Sequence, residues 1–199
     1  MLDEKFRKLT KENIVSFLAY IFEECGDEEY LGESVTMAQH MLQGATLAEK
    51  EGLSENVIVA ALLHDIGHFT SEFGTFSMSD QADKYHEEAG AKVLESFFPS
   101  VVIDCVKYHV AAKRYLCATS PTYFKKLSNA SVHSLNLQGG PMSKVEIKEF
   151  RKNPNLDQIV QVRYLDDAGK DPNMAIPDFW HFAPMIKRVI ETHLNNVKN

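Results

Sequence analysis

Apolar residues recur at three- and four-residue intervals along almost the whole chain, and no clear alternating run backed by hairpin turns interrupts them. That period belongs to helices that each bury one face, so the fold class reads as all-α, a helical bundle. Phe6, Leu9, Ile14, Leu18, Ile21 and Phe22 share one face of a first helix, which Cys25-Gly26-Asp27 ends. Ser34 is placed to cap a second helix running towards Gly52, and Ser54 a third through Val57 to about Gly67. Residues 69 to 79 read as a loop. Asp80 then begins a helix with Asp83 at its third position; Ala82, His86, Ala89, Val93 and Phe97 follow at helical intervals up to Pro99.

Ser100 starts the next stripe, Val102, Cys105, His109 and Ala112. Ser120-Pro121 reads as a cap with Pro at the first helical position, opening a short helix up to Leu127. LQGGPM, 137 to 142, is a turn, and Ser143 with Glu146 forms a capping-box pattern. Asn153-Pro154 separates that helix from one carrying Ile159, Val162, Arg163 and Asp166 until Gly169. A last helix follows Pro177, with Pro184 expected to bend it or delay its start. Neither an internal repeat nor a linker divides the chain, so one domain over 1–199 is expected, residues 1–29 forming a helix that packs on a core of 30–194.

With 44% apolar and 25% charged residues the chain can bury a substantial core, which argues against disorder and low complexity. A net charge of −7 disfavours nonspecific binding to nucleic acid or an anionic membrane, so a small anionic ligand would need a local cationic pocket. The longest continuous apolar run, Val57 to Leu63, falls far short of the roughly 20 residues that span a bilayer. The charged start MLDEKFRKLTKE has no signal-like apolar region, which makes the cytoplasm the expected location. Cys25, Cys105 and Cys117 show no framework spacing and read as reduced thiols.

The strongest chemical signal is His64-Asp65 in AALLHDIGHF, directly after an apolar run where a buried carboxylate needs a metal or another charge. Side chains at adjacent helical positions diverge by about 100°, so both reach one ion only if it lies beside the helix. His68 follows one turn later and suits a supporting base or a substrate donor. His40, His86 and His109 each fall in the middle of a different predicted helix, on or beside its apolar stripe. One such histidine is usually a satisfied core residue; three, with His64-Asp65 and Asp166, favour a metal centre. Six imidazole and carboxylate donors exceed what one catalytic ion needs, so two ions sharing a carboxylate is the economical arrangement. Lys113 lies four residues after His109 and Arg163 three before Asp166, which fits cations over an anionic substrate. His133, His181 and His193 read as surface, capping or packing residues, and Trp180 as core. No dinucleotide-binding glycine motif, CxxC pair or serine nucleophile elbow is present.

The constellation His40, His64-Asp65 and Asp166 resembles the HD-domain metalloprotein superfamily. Adding His86 and His109 makes it resemble the mixed-valent diiron oxygenase branch, and in particular its phosphonate dioxygenases, over roughly residues 30 to 194. YLGES, AALLHDIGH, HVAAKRYL, LSNAS, LQGGPM and VRYLDDAGK carry the likeness, HVAAKRYL and QGGPM most specifically. The resemblance implies that His40, His64, Asp65, His86, His109 and Asp166 hold two irons, Fe(II)/Fe(III), with Asp65 bridging. It implies a phosphonate held by Lys113, Ser131, Gln138 and Arg163, a substrate contact from His68, and a mobile Tyr30 and Glu33 pair that closes the oxygen site until substrate arrives. The implied reaction uses O2 to split the carbon–phosphorus bond of a 1-hydroxy-2-aminoethylphosphonate or its trimethylated counterpart. Phosphate leaves with glycine or glycine betaine, and a 2-oxoglutarate-dependent hydroxylase is expected to supply the hydroxylated substrate.

The 69–83 loop departs from the family pattern. Glu72, Asp80 and Asp83 with Phe69, Phe73 and Phe76 supply carboxylates and aromatic faces that suit a quaternary ammonium, although each alone also fits a solvated loop. Residue spacing by itself also leaves open a phosphohydrolase whose metals activate water, and a non-catalytic metal- or ligand-sensing domain.

Overall fold

The computed structural model describes residues 6–30, 32–70 and 81–197. Among these residues the expected all-α architecture holds, the sole extended pairing being an isolated antiparallel bridge between Glu29 and Thr36. Helix α1 covers Ile14–Tyr20 and passes into a π-helical turn, Ile21–Cys25, so the single helix expected from Phe6 onward is shorter. Asn13 sets that start: its Oδ1 accepts the Thr10 amide at 2.7 Å and its Nδ2 donates to the Lys8 carbonyl at 3.0 Å, folding the preceding chain into a turn.

Helix α2, Met37–Lys50, is capped by Thr36 and not by Ser34. Thr36 makes the reciprocal pair with Gln39 that satisfies two end amides, and its own backbone is already fixed by the Glu29 bridge. Helix α3, Glu55–Leu63, is buried at every position from Val57 to Leu63 and packs on α2. A helix without a polar face belongs in the centre. The sequence reading carried this helix on to Gly67, but it stops after Leu63. His64 to Ile66 form a turn closed by Ile66 N to Leu63 O and His68 N to Asp65 O bonds, and a short α4, Gly67–Thr70, follows.

Helix α5 runs His86–Leu94, six residues later than the expected start at Asp80. Tyr85 takes a left-handed conformation, φ 50°, which no helix can be extended through, and Asp83 accepts the Tyr85 amide as a turn residue. His86 therefore opens its helix and does not sit mid-helix. Helix α6, Ser100–Thr119, leads to a one-turn α7, Pro121–Phe124, shorter than the expected end at Leu127. Helix α8, Asn129–Leu137, capped by Ser128, is one that the periodicity did not disclose. Helix α9, Lys144–Phe150, has the expected Ser143/Glu146 capping box.

Helix α10, Leu156–Ala168, packs on α2, α3 and α6, so these four helices form the frame of the site. Helix α11, Phe179–Val197, packs its apolar face on α3 and α1; it begins at Phe179, so Pro184 does not delay it. Trp180 is 50% exposed and not core, because Phe179 and Phe182 take the inward face and its indole N–H is used by Glu23 at 2.6 Å. No helix among the described residues is long and apolar enough to cross a membrane.

Candidate metal centre

Asp65 is the hub. Its Oδ1 faces His86 Nε2 and His109 Nε2, each at 3.3 Å, while Oδ2 faces His64 Nε2 at 3.4 Å and His40 Nε2 at 3.5 Å. Within each pair the two Nε2 atoms lie 3.1 Å apart. Asp166 joins the second pair, its Oδ1 lying 3.5 Å from His40 Nε2 and its Oδ2 3.8 Å from His64 Nε2. The tight turn after Leu63 explains how adjacent His64 and Asp65 converge: leaving the α-helix at that point removes the divergence that a continuous helix imposes.

All six side chains are buried. His40, His64 and His109 each hold Nδ1 at 2.8 Å from a backbone carbonyl, of Gly169, Ala61 and Val106. A ring that donates from Nδ1 keeps its Nε2 lone pair for an ion. His86 differs, its Nδ1 facing the Glu87 carboxylate at 3.5 Å. Two clusters suited to metal binding result, His40-His64-Asp65 and Asp65-His68-His86, with His109 beside the latter. Nitrogen and carboxylate donors in this number suit a two-metal centre, with Asp65 facing both clusters.

Burial works against both carboxylates ionising, yet both are held well below the usual carboxylate range. The neighbouring His64 charge does this for Asp65 and the Arg163 guanidinium for Asp166. Burial also disfavours a charged His64, but Asp65 outweighs it and raises that imidazole to about 9. Burial dominates at His109, pushed down to about 4, and at His68, well below the usual histidine range.

A cleft of about 30 Å³, room for only a water or two, opens on this centre. Tyr30, His68, Lys113, Ser131, Gln138 and Arg163 line it, together with Asp65, His86, His109 and Asp166. His40 and His64 do not line it, so the cleft reaches their cluster only through the carboxylates Asp65 and Asp166 and borders the other through both His86 and His109. Tyr30 stacks on His40 at 3.8 Å and its hydroxyl donates to Asp166 at 3.4 Å. His68 stacks on His86 at 4.1 Å with its Nδ1 buried and unpartnered. Lys113 donates to Ser134 at 2.7 Å, and burial, followed by the Arg163 charge, pushes its ammonium down to about 7. Arg163 is paired with Asp166 at 2.6 Å and with Asp167, leaving its buried Nε without a partner.

Glu33 stands outside the lining, ion-paired to Lys170 at 3.1 Å. Of the loop residues expected near a substrate cation, Glu72, Phe73, Phe76 and Asp80 lie outside the described residues. Phe69 packs against the patch of Tyr30, Val35 and Met37. The sequence reading missed Ser134, Asp167, Tyr123 and Lys170. Asp167 was available as the fourth residue after Arg163; its second partner, the Tyr123 hydroxyl at 2.6 Å, comes from a distant helix and left no local signal. His181 sits on the surface against Glu49 at 2.9 Å.

The model of the HD domain matches residues 37–162, well over half of the chain. The chain belongs to the HD-domain family. The HD match takes in His40, His64-Asp65, His86 and His109 and stops one helical turn before Asp166, which α10 adds from the same face as Val162. Among curated relatives, a [1-hydroxy-2-(trimethylamino)ethyl]phosphonate dioxygenase (glycine-betaine-forming) of Leisingera caerulea is 68% identical over 94% of this chain and 95% of its own. A hydroxymethylphosphonate dioxygenase of Gimesia maris is 39% identical over 82% of each chain. An uncharacterised protein of Acanthamoeba polyphaga mimivirus is 32% identical over 92% of this chain and 84% of its own. This HD-domain protein is therefore homologous to phosphonate-oxidising dioxygenases across nearly its full length.

Proposed function

We propose that this HD-domain protein is an O2-dependent 1-hydroxyphosphonate dioxygenase with a mixed-valent Fe(II)/Fe(III) pair. It takes 1-hydroxy-2-(trimethylamino)ethylphosphonate to phosphate and glycine betaine, and takes the unmethylated amine to glycine. The observation that carries the reading is Asp65, whose two oxygens face two different histidine pairs, only one of which borders the cleft. The 68% identity to the glycine-betaine-forming relative supports the substrate. The overall reaction balances without a further reductant: one oxygen atom of O2 is gained by the new carboxylate and the other by the phosphate.

In this reading His40, His64 and Asp166 hold one iron, His86 and His109 the other, and Asp65 both. Bound iron would supply one-electron chemistry with O2. Lys113, the free Nε of Arg163, Ser131 and Gln138 take the phosphonate oxygens, the two cations offsetting their charge in a buried cleft. That clamp fixes C1 and its hydroxyl next to the open side of the centre. His68, kept neutral by burial, offers a hydrogen bond to the substrate without adding charge. Tyr30, which lines the cleft and stacks on His40, is displaced by substrate with Glu33 moving alongside, so that oxygen is excluded until there is something to oxidise. The 1-hydroxyl has to be installed first, a reaction of the 2-oxoglutarate-dependent hydroxylase class.

Oxygen consumption and phosphate release should run one to one on the trimethylated substrate with iron-loaded protein. Phosphate released under strict anaerobiosis would instead make the protein a hydrolase.

A further inference from the structure

Lys170 follows α10 and belongs to none of the groups assigned above. Its ammonium meets Glu33 Oε1 at 3.1 Å and Ser131 Oγ at 3.1 Å and lies 5.6 Å from the centre of the Tyr30 ring. One cation thus touches the turn that carries Tyr30 and a hydroxyl that lines the cleft. The root of the side chain is fixed. On one side the Gly169 carbonyl accepts from His40; on the other, Gln43 exchanges two hydrogen bonds with the Asp171 backbone at 2.8 and 3.0 Å. The head is half-buried on a long flexible stem, so it can change partners while its backbone stays on α2.

At the Tyr30 end the turn is held by the ring stacked on His40 and the hydroxyl on Asp166; at the Glu33 end the Lys170 ion pair joins it to the cleft wall. Glu33 N donates to Tyr30 O at 2.7 Å, Tyr30 N to Val35 O at 3.0 Å and Met37 N to Glu28 O at 2.8 Å, with the isolated Glu29–Thr36 bridge between them. We propose that Lys170 is a positioning residue that latches the Tyr30–Glu33 turn over the metal centre, and that an anion seated at Ser131 draws its ammonium from Glu33 and releases the turn. Charge gives the direction. A phosphonate beside Ser131 offers the ammonium a second anion, and whatever it gains there Glu33 loses. The release half rests on the cleft being a phosphonate site; the latch half does not.

Hydrogen exchange of the full-length, iron-loaded chain tests both halves without measuring turnover. Lys170→Met should speed exchange at residues 32–37 by about 10- to 100-fold, the loss of one charged hydrogen bond, while α3 amides stay protected. Lys170→Arg should keep wild-type protection, and Glu33→Gln, which removes the charge at the other end but leaves an acceptor, should speed exchange at the same residues by less than Lys170→Met. In the wild type, saturating methylphosphonate should produce the same acceleration, and Lys170→Met should show no further change. Wild-type exchange in both Lys170→Met and Glu33→Gln overturns the latch. Methylphosphonate that binds by calorimetry yet leaves exchange unchanged overturns the release. Methylphosphonate that does not bind removes the phosphonate reading and the release with it, while the latch is decided by Lys170→Met alone.

Discussion

Gly67 is where the backbone of α5 crosses that of α4, and the crossing sets the position of His86. A Cβ on residue 67 would stand 1.7 Å from the His86 carbonyl oxygen and 2.8 Å from Gly90 N, both rigid backbone atoms. Gly67→Ala therefore forces the segments roughly 1.3 Å further apart before the closest tolerable contact is reached. His86 is the first residue of α5, so its Nε2, now 3.3 Å from Asp65 Oδ1, moves with the crossing. Metal sites tolerate ligand displacements of only about 0.2 Å. The variant should hold one ion per chain instead of two, keeping the one between His40, His64 and Asp166 and losing the one beside the cleft. Overpacking of this kind costs about 1–3 kcal/mol. For a chain of this size that lowers Tm by about 2–12 °C, leaving a folded protein to assay. Metal content by plasma emission, a thermal melt and oxygen uptake together decide the matter. Two ions per chain with wild-type turnover would refute the claim that this glycine positions His86.

Asp65→Ala removes the carboxylate that both histidine pairs face, so both ions should be lost, whereas Asp166→Ala should release chiefly the ion on the His40-His64 side; metal analysis of the two variants separates these outcomes. Asp167→Asn weakens the hold on Arg163 and should raise KM for the hydroxyphosphonate about 10- to 100-fold, the worth of a charged hydrogen bond, with a smaller change in kcat. Lys113 has its folded pKa lowered from 10.5 to about 7, so folding disfavours its charged form. The unfolded chain then binds more protons between those values, and this residue's contribution to stability rises with pH across that window. Lys113→Met should therefore be more stable than the wild type below pH 7, with the advantage shrinking towards pH 10.5, while it loses phosphonate affinity; urea melts across pH check the sign. In the wild type, kcat/KM should fall as pH rises through about 7 and Lys113 discharges in the free protein.

The clustering of the histidines and carboxylates was legible because helical spacing reports which residues share a face, and His40, His109 and Asp166 lie within long helices. His86 was legible as a residue but not in its setting, since nothing in the composition around Tyr85 requires a left-handed backbone there. The cap at Thr36 was missed for a related reason: Ser34 is by itself the better capping residue, and the choice of Thr36 is made by Gln39 and by a bridge to Glu29. Helix α8 escaped because its pattern is inverted. Its buried face includes Ser131 and Ser134, which look into a polar cleft, so a search for apolar stripes passes over it.

The inverted pattern of α8 connects the fold to the chemistry. A cleft that must hold an anion cannot be walled by the side chains that usually hold helices together, so α8 gives up apolar burial along that face. What it loses is offset by hydrogen bonds, Ser134 to Lys113 and Ser131 to Lys170, each of which also places a cation. Meanwhile α3, apolar all round, holds α2, α6 and α10 together independently of the cleft. The clustered histidines and carboxylates on α2, α6 and α10 thus stand on an apolar strut, while the wall facing them is held by polar contacts that a bound anion can compete for.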